Sequence, residues 1–345
     1  MSMITTEILA DIPYLDHATV PGRFLSCLTF YDEDWHFWVL AGEAGNTKLM
    51  KMKAWPAEAF YFAREAAEPN DVYLPFIDFM GRIACFAELQ KPFSAVHDDV
   101  LNLSASLAKI VHLQSAKSQI AHGLSRMAAT EVEYLVLVCR SLFDLFQEML
   151  LKIWDRVQLI DATAKKKPLK ESFARTIMSG NTVLTAEEIA ERFGIPLELA
   201  RCYERASETF IALRRFRDNI VHHGSPMQHI FEGDGAFLIS SRFRPFPDMD
   251  LWADEERQPN DLVPLLPALQ MLVYRTITIC DDFCVTLSQQ ISFPPPIVPD
   301  MVLFSRGYFA QHLIEALQSG AARSRVAPAE DTTGGQTGAD ESPSI

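Results

Sequence analysis

At 345 residues, 48% of them apolar, the chain has material for one large or two modest domains with real cores. A formal net charge of −14 speaks against a general nucleic-acid binder, because neutralising phosphates is what drives that affinity. No apolar run approaches the roughly 18–20 residues of a membrane span, and residues 1–7 lack the basic head and apolar core of a signal peptide, so the sequence reads as a cytoplasmic globular protein.

The charge is unevenly spread. Between Glu131 and Gly224, 14 Lys and Arg balance 14 Asp and Glu, which leaves 17 against 31 for the rest of the chain. The six cysteines, at 27, 85, 139, 202, 280 and 284, are scattered through apolar segments, which suits reduced, buried thiols. Cys280 and Cys284 share a helix face without a second ligand pair, so core packing is expected there; neither a metal nor a cofactor is.

In chain order, residues 1–104 form an N-terminal region of α or α+β type. Phe24–Phe30, Trp35–Leu40 and Thr47–Met52, separated by polar and glycine-rich turns, predict a β-hairpin or short meander, with a buried helix as the alternative. Ala57–Ala67 reads as helix after Pro56, and Val72–Leu89 as another, closed by Lys91-Pro92. From Ser94, the residues Val96, Val100, Leu103, Leu107, Ile110 and Leu113 make one apolar helical stripe. His97-Asp98-Asp99 within it resembles part of the HD metal phosphohydrolase signature, but no spacing supplies the other ligands, and a solvated helix edge is expected.

The bundle proper is expected over 105–292, a mainly α fold. Its longest helix is predicted over Ala128–Leu159, with Thr130 and Glu133 as a capping box, and is apolar on too many sides for one stripe. It should lie at a bundle centre or across a dimer interface. Arg140, Asp144 and Glu148 form a charge ladder along it. Lys165, Lys166 and Lys167 are the core of the one basic run, either a solvated loop or an electrostatic guide for an RNA backbone, in which Arg214 would share. Thr185–Ile195 resembles the first helix and turn of a helix-turn-helix, yet the next helix carries carboxylates where phosphate would lie and is needed by the core.

Glu232–Gly235 predicts the turn of a small β-hairpin insertion, and Val263–Ile291 a further long helix with an apolar face. Residues 293–319 are expected as an extended segment after Pro294-Pro295-Pro296 and a short helix from Ser305 to Ser319, and 320–345 as a disordered tail.

The stretch Leu213–Gly224, LRRFRDNIVHHG, organises the rest. Phe210, Leu213, Phe216 and Ile220 fall on one helical stripe that must face a core, pushing the polar residues to its flanks. Gly224 and Pro226 predict a helix end at His222 or His223. That puts an imidazole, the side chain whose charge changes near neutral pH, in a last helical turn.

Arg217 followed by His222, with Asp218 and Asn219 directly after the arginine, resembles the signature of the HEPN domain over roughly residues 105–290. The resemblance implies a small helical bundle and, as in many members, a metal-independent endoribonuclease acting as a homodimer on RNA. One departure stands out: members paired with nucleotidyltransferase antitoxins often carry tyrosine two residues after the histidine, where this chain has Gly224.

Metal-free RNA cleavage needs a base for the ribose 2′-hydroxyl and a cation for charge developing on the phosphoryl oxygens. His222 suits the first role and Arg217 the second, Asp218 or Asn219 could hold the imidazole tautomer, and His223 is a spare base. The alternative is a non-catalytic HEPN-like dimerisation module with an unidentified protein partner, in which Arg217 is buried against an acid such as Asp144.

Overall fold

The computed structural model describes residues 8–42, 48–53, 57–120, 122–161, 163, 165–223, 229–233, 235–242, 246 and 251–326. Strands β1 (Thr29–Asp32) and β2 (Asp34–Ala41) form the expected hairpin, pairing Thr29 with Phe37 around a turn at Glu33, whose φ is 63°. Strand β3 (Lys48–Met52) continues the meander on the outer edge of β2.

Strand β4 (Ala59–Ala63) stands where the sequence predicts helix. It runs parallel to β1, and its residues point alternately to two cores: Phe60 and Phe62 join the main apolar cluster, while Tyr61 and Ala63 join a smaller one on the other face. A strand buried on both faces is apolar at every position, so its period cannot be told from that of a buried helix.

After the short β5 (Val72–Tyr73), the predicted helix over 72–89 is broken into α1 (Pro75–Asp78), a π-helical turn at Phe79–Ile83 and a 3-10 turn at Ala87–Leu89. Helix α2 (Gln90–Ser115) then begins before Pro92 instead of being blocked by it. Proline in a first helical turn forfeits only an N–H that has no intrahelical acceptor. The α2 stripe from Val96 to Ile110 is buried, as its spacing requires.

Helix α3 (Leu124–Trp154) starts earlier than predicted, after Gly123 at φ 91°. Thr130 is therefore interior, its hydroxyl donating to the Met127 carbonyl, and the capping box with Glu133 does not form. The apolar excess of α3 is absorbed within this one chain, since it packs against α2 and two later helices. Strand β6 (Gln158–Leu159) and helix α4 (Phe173–Ile177) follow, then the tight hairpin of β7 (Met178–Ser179) and β8 (Thr182–Val183). Helix α5 (Ala186–Phe193) is opened by a Thr185–Glu188 capping box and closed by Gly194 at φ 59°. Helix α6 (Leu197–His223) is continuous and packs against α3 and α5.

The expected hairpin insertion, β9 (Phe231–Glu232) with β10 (Phe237–Ser240), gains a third strand, β11 (Leu262–Pro264). Helix α7 (Leu265–Gln290) packs on α6 and α3, and β12 (Ile291–Ser292) pairs with β6. Beyond the proline run the chain does not stay extended in isolation. Strand β13 (Val302–Arg306) inserts between β4 and β5, completing a six-stranded sheet of order β3-β2-β1-β4-β13-β5. Ser305 is thus a strand residue, not the start of a helix. Helix α8 (Ala310–Val326) begins later and runs past Gly320, where disorder was expected; a Cβ there would lie 2.2 Å from the Tyr274 ring, so glycine lets α8 approach α7 closely. Residues 327–345 of the expected tail lie outside the described residues.

The fold is thus mixed, with a helical majority and several small sheets. Among the described residues no helix is long and apolar enough to cross a membrane. All six cysteines are unpaired, and five of them are buried.

Asp281 of α7 caps α1, accepting from the Phe76 amide at 2.9 Å. Burial pushes its carboxyl up to about 7, with that amide opposing and Asp282 adding to the rise. A carboxyl raised on folding stabilises the protein when protonated, so its contribution is complete at pH 4 and is lost as pH rises through 7. Replacing Asp281→Asn keeps an acceptor for Phe76 and removes the charge. The variant is expected to gain roughly 1–3 kcal/mol at pH 8 and nothing at pH 4, read from urea midpoints at the two pH values.

Candidate functional site

The site predicted from sequence lies on the last turns of α6, and the helix is aimed as the stripe requires. Phe210, Leu213 and Phe216 are fully buried and Ile220 packs against the same core. The ring of Phe210 meets Phe143 of α3 and Phe173 of α4, at centroid separations of 5.7 and 4.8 Å. Two turns deeper, the buried Tyr203 hydroxyl donates to Gln147 Oε1 at 2.6 Å, and Gln147 Nε2 donates to the Lys170 carbonyl at 2.7 Å. This network fixes the roll of α6 against α3, and hence which residues face water at its end.

Those residues are the polar ones. The Arg217 side chain is 44% exposed and donates from Nη1 to Asp218 Oδ1 at 2.6 Å. Asp218 Oδ2 lies 3.6 Å from Arg214 Nε, so this carboxylate is shared by two guanidinium groups one turn apart. Arg214 also reaches Met178 Sδ, at 3.6 Å, on the β7 hairpin. Asn219 is half-buried and His222 exposed. His223 belongs to α6, but its side chain, like Gly224 and Pro226, lies outside the described residues.

Burial of Arg217 against Asp144 is not found. Asp144 pairs with Arg140, whose guanidinium lies over the Phe210 ring at 5.0 Å, and Glu148 pairs with Lys152 at 3.4 Å. The ladder on α3 is closed within itself, and Arg217 is left at the surface.

The lysine run takes a role that neither sequence reading gave it. Lys166 Nζ donates to the Trp154 and Val157 carbonyls at 2.5 and 2.6 Å, at the C-terminal end of α3. Lys167 Nζ donates to the Glu191 carbonyl at 2.6 Å, near the end of α5. An ammonium suits the partial negative charge of a helix C-terminus and its unsatisfied carbonyls. The loop itself is stitched down by Trp154 Nε1 to the Lys167 carbonyl and by the Lys167 amide to that of Phe193. Of the three lysines, Lys165 is exposed, and its side chain makes no hydrogen bond or ion pair among the described residues.

What the sequence did not single out is a cleft of about 280 Å³ beside this loop, lined by Lys170, Arg175 and Arg192 with Met178, Ser179 and Gly180. The three cations lie in three different segments, so no run marked them.

His97-Asp98-Asp99 is not a plain solvated edge. His97 packs on the Phe60 ring at a centroid distance of 3.8 Å, and Asp99 is half-buried beside it on α2. Burial pushes the imidazole down and the Asp99 carboxyl up, each toward its neutral form, as suits a group packed under a sheet. Among the described residues no group of three His, Cys, Asp or Glu could hold a metal ion.

Compared with known proteins, the chain matches no family model, no curated protein and no solved structure.

Proposed function

We propose that the chain is a HEPN-like, metal-independent endoribonuclease, with Arg217 and His222 as its catalytic residues. What carries the reading is the exposure of Arg217 and His222 on the last turns of a helix whose other face is locked into the core. In the reaction, His222 takes the proton of a ribose 2′-hydroxyl as that oxygen attacks the adjacent phosphorus. Arg217 neutralises the charge gathering on the phosphoryl oxygens, and the bond to the 5′-oxygen breaks. The products are a 2′,3′-cyclic phosphate and a 5′-hydroxyl. The leaving oxygen needs a proton, which the equivalent histidine of a second protomer would supply in a two-fold dimer. Asp218, between Arg214 and Arg217, holds the guanidinium groups apart and in place, a positioning role.

The second reading, a HEPN-like partner-binding module, is favoured by one feature. A groove of about 890 Å³ between α2, α3 and the start of α8 has an apolar lining that includes the exposed Met127 and Phe309.

The deciding experiment is cleavage of a labelled structured RNA by the purified protein in EDTA, with the product ends identified. Cyclic phosphate ends are expected, and their absence across RNAs of varied sequence would transfer the conclusion to the binding module.

A further inference from the structure

The cleft between the α4–β7 segment and α5 gathers three cations in an acidic chain. Lys170 ends the stitched-down loop, Arg175 sits on α4, and Arg192 is in the last turn of α5. Among the described residues, none of the three side-chain heads meets a carboxylate or makes a hydrogen bond. Elsewhere the arginines are commonly matched, as Arg201 is by Glu198 and Arg323 by Glu256. With 45 acidic residues against 31 basic, partners are not scarce, yet among the described residues no acidic one lines this opening.

The cations are carried on a fixed frame. The Lys170 carbonyl is held by Gln147, the Arg175 amide is capped by Ser172, and the Arg192 guanidinium lies over the Phe193 ring at 5.6 Å. At the mouth, Gly180 turns the hairpin at φ 61°, and a Cβ there would meet nothing within 4 Å, so backbone as well as side chains can be approached. The volume, about 280 Å³, falls just under the roughly 300 Å³ at which sites for organic ligands begin. It suits a compact oxyanion with its waters. Two guanidinium forks and an ammonium around such a space match the several oxygens of a phosphate group.

We infer that the Lys170–Arg175–Arg192 cleft is a phosphate-binding pocket. It adjoins the proposed nuclease site, since Met178 lines the cleft and also contacts Arg214 of α6. A backbone phosphate of RNA bound there would lie alongside the Arg214–Arg217 flank. That source of the phosphate rests on the ribonuclease reading, whereas the pocket itself does not.

The test compares the wild type with the double variant Arg175→Ala/Arg192→Ala, both sites being exposed, after circular dichroism has established equal folding. One arm follows thermal stability against millimolar inorganic phosphate and pyrophosphate. The other follows fluorescence anisotropy of a 12-nucleotide 2′-O-methyl RNA, which no 2′-hydroxyl attack can cleave, at several salt concentrations. Phosphate is expected to raise the melting temperature of the wild type alone. RNA affinity is expected to fall about tenfold in the double variant, with a salt slope smaller by about 0.7, the value for one lost phosphate on a single strand. A phosphate response lost in the variant with RNA binding unchanged would assign the pocket to a small phosphorylated molecule. No phosphate response in the wild type, an equal response in the variant, or equal competition by an aspartate-rich peptide would overturn the inference. Failure of RNA cleavage in EDTA leaves every one of these outcomes readable, so the two proposals fall separately.

Discussion

Replacing Asp71→Ala is expected to destabilise the protein by about 3–5 kcal/mol, more than any surface substitution described above. Arg306 of β13 grips Asp71 with two bonds, Nε to Oδ1 at 2.8 Å and Nη2 to Oδ2 at 2.6 Å, and the two side chains are only 6% and 3% exposed. The same carboxylate accepts from the Tyr61 hydroxyl at 2.6 Å and from the Glu68 amide at 2.9 Å. The Arg306 guanidinium is also packed over the Trp35 ring at 4.6 Å. Removing the carboxylate leaves a guanidinium without its counter-charge in an aromatic pocket and strands two donors with it. The cost is dominated by the charge left behind and not by the net worth of the pair. A double-mutant cycle separates these: Asp71→Leu with Arg306→Met should cost less than the sum of the single changes, by at least about 1 kcal/mol, read from urea midpoints. Strictly additive costs would show that the pair is not coupled as its geometry requires. Because β13 is the strand that ties the end of the chain to β4, loss of the pair should also bare its edge to proteolysis.

That tie was not legible in the sequence. Val302–Arg306 pairs with a strand some 240 residues earlier, and nothing local distinguishes it from the extended segment expected after three prolines. Strand β4 was hidden for the opposite reason, being apolar at every position because both its faces are covered. Pro92 misled as a helix stop since its meaning depends on whether a helix begins or ends there. By contrast, the α2 and α6 stripes were readable, because one face meets a core and the other meets water. At the candidate site, that amphipathicity was enough to place Arg217 on the flank of a buried stripe. It could not say that Asp218 would turn to the arginines, nor that Lys166 and Lys167 would be drawn to helix ends. The placing of the two lysines depends on where neighbouring helices terminate in space, as does the gathering of Lys170, Arg175 and Arg192.

The second large effect is expected in catalysis, with stability left nearly untouched. Under the ribonuclease reading, Arg217→Ala should lower kcat/KM for RNA cleavage by about 10²–10³, the loss found when one donor to a developing oxyanion is removed. His222→Ala should lower it by about 10²–10⁴, the range for a general acid–base group. The Arg217 side chain is 44% exposed and its pair with Asp218 is a surface one, worth between about 0 and 1 kcal/mol, so neither variant should shift the urea midpoint appreciably. Arg217→Lys discriminates between roles. It keeps the charge, and would satisfy a simple electrostatic or structural need, but it lacks the planar fork that can bond Asp218 and a phosphoryl oxygen together. Its activity should therefore stay closer to that of Arg217→Ala than to the wild type, with KM little changed and kcat reduced. Full activity in Arg217→Lys would reduce the arginine to a point charge, and full activity in Arg217→Ala would remove it from the reaction altogether. A loss of stability equal to the loss of activity would make Arg217 a structural residue, and the proposed site would have to be sought elsewhere on α6.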